Sequence, residues 1–419
     1  MITGSARRAG ATAPDAAADA AADGHGPAAG AGTASSGTAS SGTAVSGAAV
    51  SDAWRFGVRT AVVPWVVARL VVVGALVVAH EVVTRAKPSA SVVAHVHEGL
   101  LAWDSGWYEA IARHGYAGAG HDSLRFFPLV PALVRALSAL PGVGAGAALL
   151  VVSNVSALAG VALLAVLARR ETGDAGLARR AAWLACLAPP AFTAVMGYAE
   201  ATLLALGVGT MLALRARAWW WAAGLGLLAA LTRPLGVLLV LPAAVEVLRG
   251  LRGAPVSERV ARGAALLGPV VGFGAFLGWV GWRYGDALAP LRVQQQGTLR
   301  GGFADPLHTL WHDASLLAHG THLGQAMHLP WAVLAVALLV VVARRWPAGY
   351  TLLAAAVLVV ALTASNLDGF ERYALSAFPL VLAGATVTAG ARMERTVLTL
   401  AGAGLALYAL LAFTGLYVP

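Results

Sequence analysis

The stretch AVVPWVVARLVVVGALVVAHEVV at residues 61–83 is apolar except for Arg69, His80 and Glu81. A helix needs about 20 mostly apolar residues to cross the hydrocarbon core of a bilayer, and this stretch supplies them. Ten further apolar runs follow, near residues 144–168, 181–196, 198–214, 219–232, 234–248, 263–283, 331–343, 348–364, 374–390 and 396–417. Together they predict an all-α polytopic membrane protein with about 11 transmembrane helices.

The composition agrees with this class. Of the 419 residues, 58% are hydrophobic and only 12% are charged, whereas a soluble domain carries about 25% charged residues. The lipid bilayer is therefore the expected surrounding of most of the chain. The net charge of +9 comes from arginines in short clusters between apolar runs. This is the positive-inside pattern of a membrane protein, so nucleic acid is not expected as a partner.

The arginine clusters predict the orientation. With the N-terminus in the cytoplasm, every short basic connection falls on the cytoplasmic side. These connections hold Arg169, Arg170, Arg179, Arg180, Arg215, Arg217, Arg249, Arg252, Arg259, Arg262, Arg344, Arg345, Arg392 and Arg395. Residues 219–248 could instead form one helix kinked at Pro234, but that would move the later clusters outside, so two spans are preferred. Two long connections, about 84–143 and 284–330, then lie outside.

Two segments stand apart from the spans. Residues 1–52, rich in Ala, Gly, Ser and Thr, contain no apolar core of signal-peptide type, and we expect a disordered cytoplasmic tail before a transmembrane domain at 53–419. Residues 126–140, FFPLVPALVRALSAL, are apolar but interrupted by two prolines. They are interpreted as an interfacial helix on the membrane surface or as the outer end of the second span.

The densest polar and aromatic segment is WDSGWYEAIARHGY, at residues 103–116. Asp104 has two possible roles there. It could cap the helix that follows, within an aromatic belt at the membrane interface. It could also be a carboxylate held at the lipid–water boundary as a general base. Glu109 lies at a different angle on the same helix and is a weaker candidate.

Ionisable side chains near the outer ends of other spans are also candidates, because a charge in hydrocarbon costs about 2.5–3.5 kcal/mol on insertion scales. These are Glu200, Arg233, Glu371 and Arg372. Each alone could snorkel to the interface, but that does not explain why all of them share a side with Asp104. Arg233, directly before Pro234, offers the planar fork of donors that suits phosphate. Arg69, inside the first span, could pair with a carboxylate or face a polar cavity.

No metal site is favoured. The histidines between 308 and 328 are irregularly spaced, and Cys186 is the single cysteine of the chain, so neither provides a recognisable set of ligands. A bound divalent cation is possible but is not the preferred interpretation.

The segments WDSGWYEAIARHGY, FFPLVPAL, GYAEATLL (197–204), LTRPLGVLL (231–239) and ERYALSAFPL (371–380) occur in this order. In them the chain resembles the PIG-V-like mannosyltransferases of the GT-C superfamily, in particular their bacterial members. The resemblance spans residues 103–380 and implies a GT-C-like bundle with a long first extracytoplasmic loop. It also implies a polyprenyl-phosphate sugar donor, with mannose as the expected sugar, and transfer with inversion.

The resemblance further implies an essential acidic residue in the first outer loop, which here is Asp104. Because no Asp-X-Asp pair is present, metal-independent transfer without a cofactor is expected. The acceptor would be a hydroxyl of a lipid, glycan or protein.

The proposed roles follow from the chemistry of the step. Asp104 would take the acceptor proton, and Arg233 and Arg372 would stabilise the departing phosphate, with Arg113 and Arg125 behind them. Glu200 would orient sugar hydroxyls or hold an arginine. The other candidate substrate-binding residues are Trp103, Trp107, Tyr108, Glu109 and Glu371. The alternative is a transporter or flippase for a lipid-linked or small polar substrate, although the sequence contains no visible internal repeat.

Overall fold

The computed structural model describes residues 47–86, 90–297, 299–318 and 328–419. Within these ranges the chain is helical apart from turns, short 3₁₀ segments and an isolated bridge between Phe303 and Ala364. The helices are α1 (Gly47–Ala86), α2 (Ala90–Glu98), α3 (Asp104–Ala119), α4 (Leu129–Leu137), α5 (Ala145–Thr172), α6 (Ala175–Leu187), α7 (Glu200–Arg215), α8 (Trp219–Thr232), α9 (Val240–Leu248), α10 (Val256–Tyr284), α11 (Ala289–Gln294), α12 (Pro306–Ala318), α13 (His328–Arg345), α14 (Ala348–Leu362), α15 (Phe370–Ser376), α16 (Phe378–Val387) and α17 (Ala391–Phe413).

The prediction of an all-α polytopic membrane protein is confirmed. Five helices, α1, α5, α10, α13 and α17, are long and apolar enough to cross a membrane, and shorter apolar helices lie among them. Every one of the eleven apolar runs overlaps a helix. Of the expected tail at 1–52, residues 1–46 lie outside the described residues. Residues 47–52 form the first turns of α1.

Residues 219–248 form two limbs that fold back on each other at Arg233. Both ends of this hairpin contact Arg262. Its guanidinium lies over the Trp219 ring at 4.8 Å and donates to the Val247 carbonyl at 2.8 Å. A single helix rises about 1.5 Å per residue and would separate those two ends by roughly 40 Å. The hairpin that the two-span interpretation requires is therefore confirmed, and the crossing of the membrane by each limb stays a prediction.

The basic connections meet at one end of the bundle. Arg170, at the end of α5, donates to the Arg215 carbonyl at the end of α7. Arg215 binds Glu171 at 2.8 Å and Glu246 at 3.2 Å, which joins the ends of α5, α7 and α9. Because α7 runs from Glu200 to Arg215, Glu200 lies at the opposite end of the bundle. The side of the membrane that each end faces stays a prediction.

In the first long connection, the described residues 90–143 form the helices α2, α3 and α4, joined by short 3₁₀ segments and turns. Its helix α4 packs Val130 and Val134 against Tyr108 of α3 and Leu149 of α5. The turn at 138–144 separates α4 from α5, so α4 is a separate helix and not the outer end of the second span. Its location at the membrane surface stays a prediction.

The chain is interrupted between α6 and α7. Pro189 and Pro190 follow the end of α6, and the chain continues as a 3₁₀ segment, Pro189–Ala194. The Ala194 carbonyl accepts a hydrogen bond from Arg69 at 3.0 Å. Asn154 supports the same turn, because it accepts from Arg69 at 2.9 Å and donates to the Val195 carbonyl at 3.0 Å. Arg69 thus binds an amide and main-chain carbonyls instead of the carboxylate or polar cavity considered from the sequence.

Candidate active site

A cavity of about 640 Å³ opens at the end of the bundle that holds Glu200. Its walls come from α3, from the turn before α4, from the α8–α9 hairpin, and from the segments that follow α11 and α14. The lining residues are Trp103, Asp104, Trp107, Tyr108, Arg125, Phe126, Phe127, Thr232, Arg233, Pro234, Leu235, Leu291, Gln294, Gln295, Leu299, Arg300, Gly301, Gly302, Phe303, Val360, Thr363, Ala364, Asp368, Arg372, Tyr373, Val418 and Pro419.

Asp104 faces this cavity from the first turn of α3, with 26% of its side chain exposed. Its Oδ2 accepts a hydrogen bond from Arg372 Nη1 at 2.7 Å, and its Oδ1 lies 3.8 Å from Arg125 Nη2. No side-chain cap forms at the start of α3, where Trp103 is the N-cap residue. The Asp104 carboxylate therefore does not cap the helix. Oδ2 is oriented by its hydrogen bond from Arg372, whereas Oδ1, at 3.8 Å from Arg125, is beyond hydrogen-bond distance of that guanidinium.

Trp103 places Asp104 through an unusual backbone conformation. Its φ of 63° and ψ of −127° lie in a region that L-residues rarely occupy, and such conformations cost about 1–3 kcal/mol. Two contacts hold the side chain: Trp103 Nε1 donates to the Ala412 carbonyl at 3.0 Å, and the ring stacks on His95 at 4.1 Å. Strain retained next to a cavity-facing carboxylate is typical of a functional site.

Glu200 holds two of the cavity's arginines. It accepts a hydrogen bond from Arg233 Nη1 and lies 3.3 Å from Arg372 Nε, and the side chains of all three are about nine-tenths buried. Arg233 reaches Glu200 because it is extended, with φ −155° and ψ 155°, as a residue before proline prefers. Glu200 is not among the cavity-lining residues. Of its two predicted roles, the geometry favours holding arginines over orienting sugar.

Three guanidiniums surround the Tyr373 ring. Arg300, Arg233 and Arg372 lie 4.1, 5.1 and 5.7 Å from its centroid. Burial raises the pKa of the Tyr373 phenol, but the three cations outweigh burial and hold its pKa below the ordinary value. The ring thus gathers three positive charges along one wall of the cavity.

Arg300 was not predicted from the sequence. Its Nη2 donates to the carbonyls of Val360 at 2.8 Å and Ala361 at 3.0 Å. It forms no ion pair with a carboxylate in the described part of the chain. A signal existed, because an arginine in a connection that is predicted to lie outside runs against the positive-inside pattern. The other arginine of that connection, Arg292, binds Asp286 at 2.6 Å. Arg300 is therefore the arginine of that connection that has no carboxylate partner among the described residues.

Seven of the eleven predicted site residues line the cavity: Trp103, Asp104, Trp107, Tyr108, Arg125, Arg233 and Arg372. Arg125 lies over the rings of Phe126 and Trp107, at 4.8 and 5.5 Å. Tyr108 is almost completely buried, and burial raises the pKa of its phenol, so the hydroxyl stays a neutral hydrogen-bond donor.

The other predicted residues lie elsewhere. Glu109 and Arg113 form an ion pair along α3, away from the cavity lining. Glu371 is 1% exposed and binds His328 and Tyr417, each at 2.8 Å. Glu371 and Arg372 are neighbours in sequence but occur on different faces of α15, so only Arg372 reaches Asp104.

The described residues contain no group of three or more His, Cys, Asp or Glu side chains placed to bind a metal ion. His328, the last histidine of the cluster considered from the sequence, is held between Glu371 and Asp368. His319 and His322 of that cluster lie outside the described residues.

No protein-family model matches the chain, and no curated protein matches it. Among solved structures, it is similar to the crystal structure of ArnT from Cupriavidus metallidurans bound to undecaprenyl phosphate. The two share 17% identity with a TM-score of 0.44, over 74% of this chain and 71% of the other.

Proposed function

We propose that the protein is a membrane glycosyltransferase that moves a sugar from polyprenyl phosphate to a hydroxyl of a lipid, glycan or protein. By its sequence resemblance the sugar is mannose, and by the arginine pattern the reaction occurs on the extracytoplasmic face. The observation that carries the proposal is the Asp104 carboxylate, in a cavity lined by four arginines. Its Oδ2 is hydrogen-bonded to Arg372, and its Oδ1 accepts no hydrogen bond from the nearest guanidinium, that of Arg125 at 3.8 Å.

In the proposed reaction the acceptor hydroxyl oxygen attacks the anomeric carbon of the donor sugar. Its proton passes to Asp104 Oδ1, while Arg372 keeps Oδ2 in place. The bond between the anomeric carbon and the phosphate oxygen breaks, its electron pair stays on the phosphate, and polyprenyl phosphate departs. A single displacement of this kind inverts the anomeric centre. Tyr108, as a neutral donor, is positioned to bind a substrate oxygen.

The charges of the cavity suit this departure. The donor is a phosphodiester with one negative charge, and the product phosphate carries about −1.5 to −2 at neutral pH. The cavity is lined by four arginines, Arg125, Arg233, Arg300 and Arg372, and the acids among their contacts are Asp104 and Glu200. The arginines therefore carry two more positive charges than these acids carry negative charges. Fixed cations stabilise the charge that develops on the leaving group more than they stabilise the donor, which accelerates the chemical step.

The cavity also offers apolar surface to an isoprenoid chain. Leu291, Leu299 and Val360 line it beside the arginines, and Phe303 at its edge is 84% exposed. A lipid donor needs such a border, since its phosphate binds the cations while its chain stays in contact with the bilayer.

The alternative, a transporter or flippase, has one structural observation in its favour. The chain is interrupted between α6 and α7, and interrupted helices are common in transporters. In transporters, however, the break lies at the binding site near the bilayer midplane and recurs in a second half of the molecule. The polar cavity here lies at one end of the bundle.

Purified protein in liposomes, given polyprenyl-phosphate [³H]mannose and a membrane lipid extract, tests the proposal. Label should pass from the donor to a new product, and Asp104→Asn should lower the rate by about 10²–10⁴-fold, the usual contribution of a general base. Glu109→Gln is the matched control, because this carboxylate is on the same helix but outside the cavity lining, and it should leave the rate unchanged.

Equal rates for wild type and Asp104→Asn would remove the carboxylate from the reaction. Uptake of labelled lipid into the opposite leaflet without any new product would favour the flippase.

A further inference from the structure

One wall of the cavity is formed by two segments that pair outside the helices. The loop between α14 and α15 runs beside the segment that follows α11. Ser365 N donates to the Gly302 carbonyl at 3.0 Å, and Asn366 N donates to the Arg300 carbonyl at 3.0 Å. Arg300 and the loop opposite it are therefore held in a fixed relation.

Asn366 also fixes the second carboxylate of the cavity, Asp368. Its Nδ2 donates to the Leu299 carbonyl at 2.8 Å and to Asp368 Oδ2 at 2.9 Å. Its Oδ1 accepts from the Asp368 main-chain nitrogen at 3.0 Å. An amide that uses both of its polar atoms in this way leaves the carboxylate little rotational freedom.

His328 contacts Asp368 from the opposite direction. Its Nε2 lies 3.6 Å from Asp368 Oδ1, and its Nδ1 lies 2.8 Å from the buried Glu371. Glu371 is fixed in turn by the Tyr417 hydroxyl. The contact with His328 lowers the pKa of the Asp368 carboxyl, so Asp368 is ionised at neutral pH.

A site that bound only phosphate would not be expected to contain a fixed anion such as Asp368. Asp368 lines the same cavity as the arginines, and 41% of its side chain is exposed. Its only ion-pair partner among the described residues is His328. A carboxylate repels a phosphate, but it accepts hydrogen bonds from neutral hydroxyls. A carboxylate has about four positions at which it can accept a hydrogen bond, and Asn366 and His328 occupy only some of them. The remaining positions can bind a ligand.

We propose that Asp368 binds hydroxyls of the donor sugar, so that the site selects sugar-bearing polyprenyl phosphate over polyprenyl phosphate alone. This inference rests on the proposed function and adds the sugar subsite to it. Before transfer, the sugar hydroxyls donate to Asp368 and offset its charge. After transfer, the sugar is gone and the phosphate carries more charge, so the same carboxylate repels the product and speeds its release.

Equilibrium binding in detergent, without acceptor, tests the subsite. The Asp104→Asn protein serves as the parent, because it should bind the donor without turnover. Affinities are measured for polyprenyl-phosphate mannose and for polyprenyl phosphate. Adding Asp368→Asn should weaken binding of the sugar-bearing lipid by about 10-fold or more, as expected for lost hydrogen bonds to a charged group. Binding of the sugar-free lipid should stay the same or become tighter.

Two further variants of the same parent separate this effect from general damage. Arg300→Met should weaken binding of both lipids, because it removes a cation that faces the phosphate. Asp286→Asn removes a carboxylate outside the cavity lining and should change neither affinity. If Asp368→Asn does not accumulate as folded protein, Asp368→Glu keeps the charge but displaces it, and it should also lose the preference for the sugar-bearing lipid.

The outcomes distinguish the two proposals. Equal weakening of both lipids by Asp368→Asn, or no loss of donor affinity, would overturn the sugar subsite. If the subsite is present but the wild type transfers no sugar to any acceptor, the transferase proposal fails while the subsite remains. If the parent binds the two lipids equally and Asp368→Asn changes neither, Asp368 has only a structural role.

Discussion

Arg372 Nη1 donates to Asp104 Oδ2 across 2.7 Å, although 268 positions separate the two residues in sequence. The same guanidinium places Nε 3.3 Å from Glu200. Arg372 therefore links the candidate base to the buried acid that also holds Arg233. It orients Oδ2 of Asp104, and in the proposed reaction Oδ1 takes the acceptor proton.

Arg372→Lys should separate positioning from charge. Lysine keeps the positive charge but cannot present the planar fork that reaches both carboxylates. We expect kcat to fall by about 10-fold or more, because a misplaced base loses much of its effect, while the affinity for polyprenyl phosphate changes little. Steady-state transfer and equilibrium lipid binding measure the two quantities. A loss of lipid affinity with unchanged kcat would instead assign Arg372 to anion binding alone.

Glu200→Gln should destabilise the protein, because it leaves Arg233 and Arg372 close together without their shared carboxylate. Removing one partner of a buried ion pair costs about 3–5 kcal/mol. Adding Arg233→Met removes the unpaired charge, while Arg372 keeps Asp104. The double variant should therefore recover most of the lost stability but not the transfer activity. Thermal unfolding in detergent measures the cycle, and an additive double variant would show that the two side chains are not coupled.

Arg300→Met should weaken donor binding and also lower kcat. Arg300 has no carboxylate partner among the described residues, so its charge is available to the phosphate of the donor and to the larger negative charge of the leaving group. A hydrogen bond to a charged group contributes about 1.5–3 kcal/mol, which corresponds to a 10- to 100-fold rise in Kd. The matched control is Arg292→Met, because Arg292 is paired with Asp286 and is not a lining residue. If both variants weaken donor binding equally, the effect is one of net charge and not of the site.

The sequence predicted the helical framework and singled out Asp104, which lines the cavity, because both depend on local signals. Apolar runs indicate the helices, and arginine clusters indicate the connections at one end of the bundle. The hairpin at Pro234 was decided correctly because a single helix would have placed later arginines on the wrong side. Asp104 was identifiable because a carboxylate among aromatic residues near an apolar run is costly and unusual.

Contacts between distant segments were not predictable. Arg69 is mid-helix, and its partner is set by the break at Pro189 and Pro190, which exposes the Ala194 carbonyl. Arg300 carries no motif, and its place in the cavity depends on pairing between the segments after α11 and α14. Glu371 and Arg372 looked equivalent because each is a charged residue at the end of a span. Only the rotation of α15 decides which of them faces Asp104.

The sidedness of the cavity can be tested by labelling introduced cysteines in intact cells. The native Cys186 is 4% exposed and should contribute little background. Phe303→Cys places a thiol at the edge of the cavity, and Arg252→Cys places one in the exposed connection between α9 and α10. If the basic end is cytoplasmic, a membrane-impermeant maleimide should label position 303 from outside and position 252 only after permeabilisation. The reverse pattern would place Asp104 and its arginines in the cytosol, and an extracytoplasmic transferase would then be untenable.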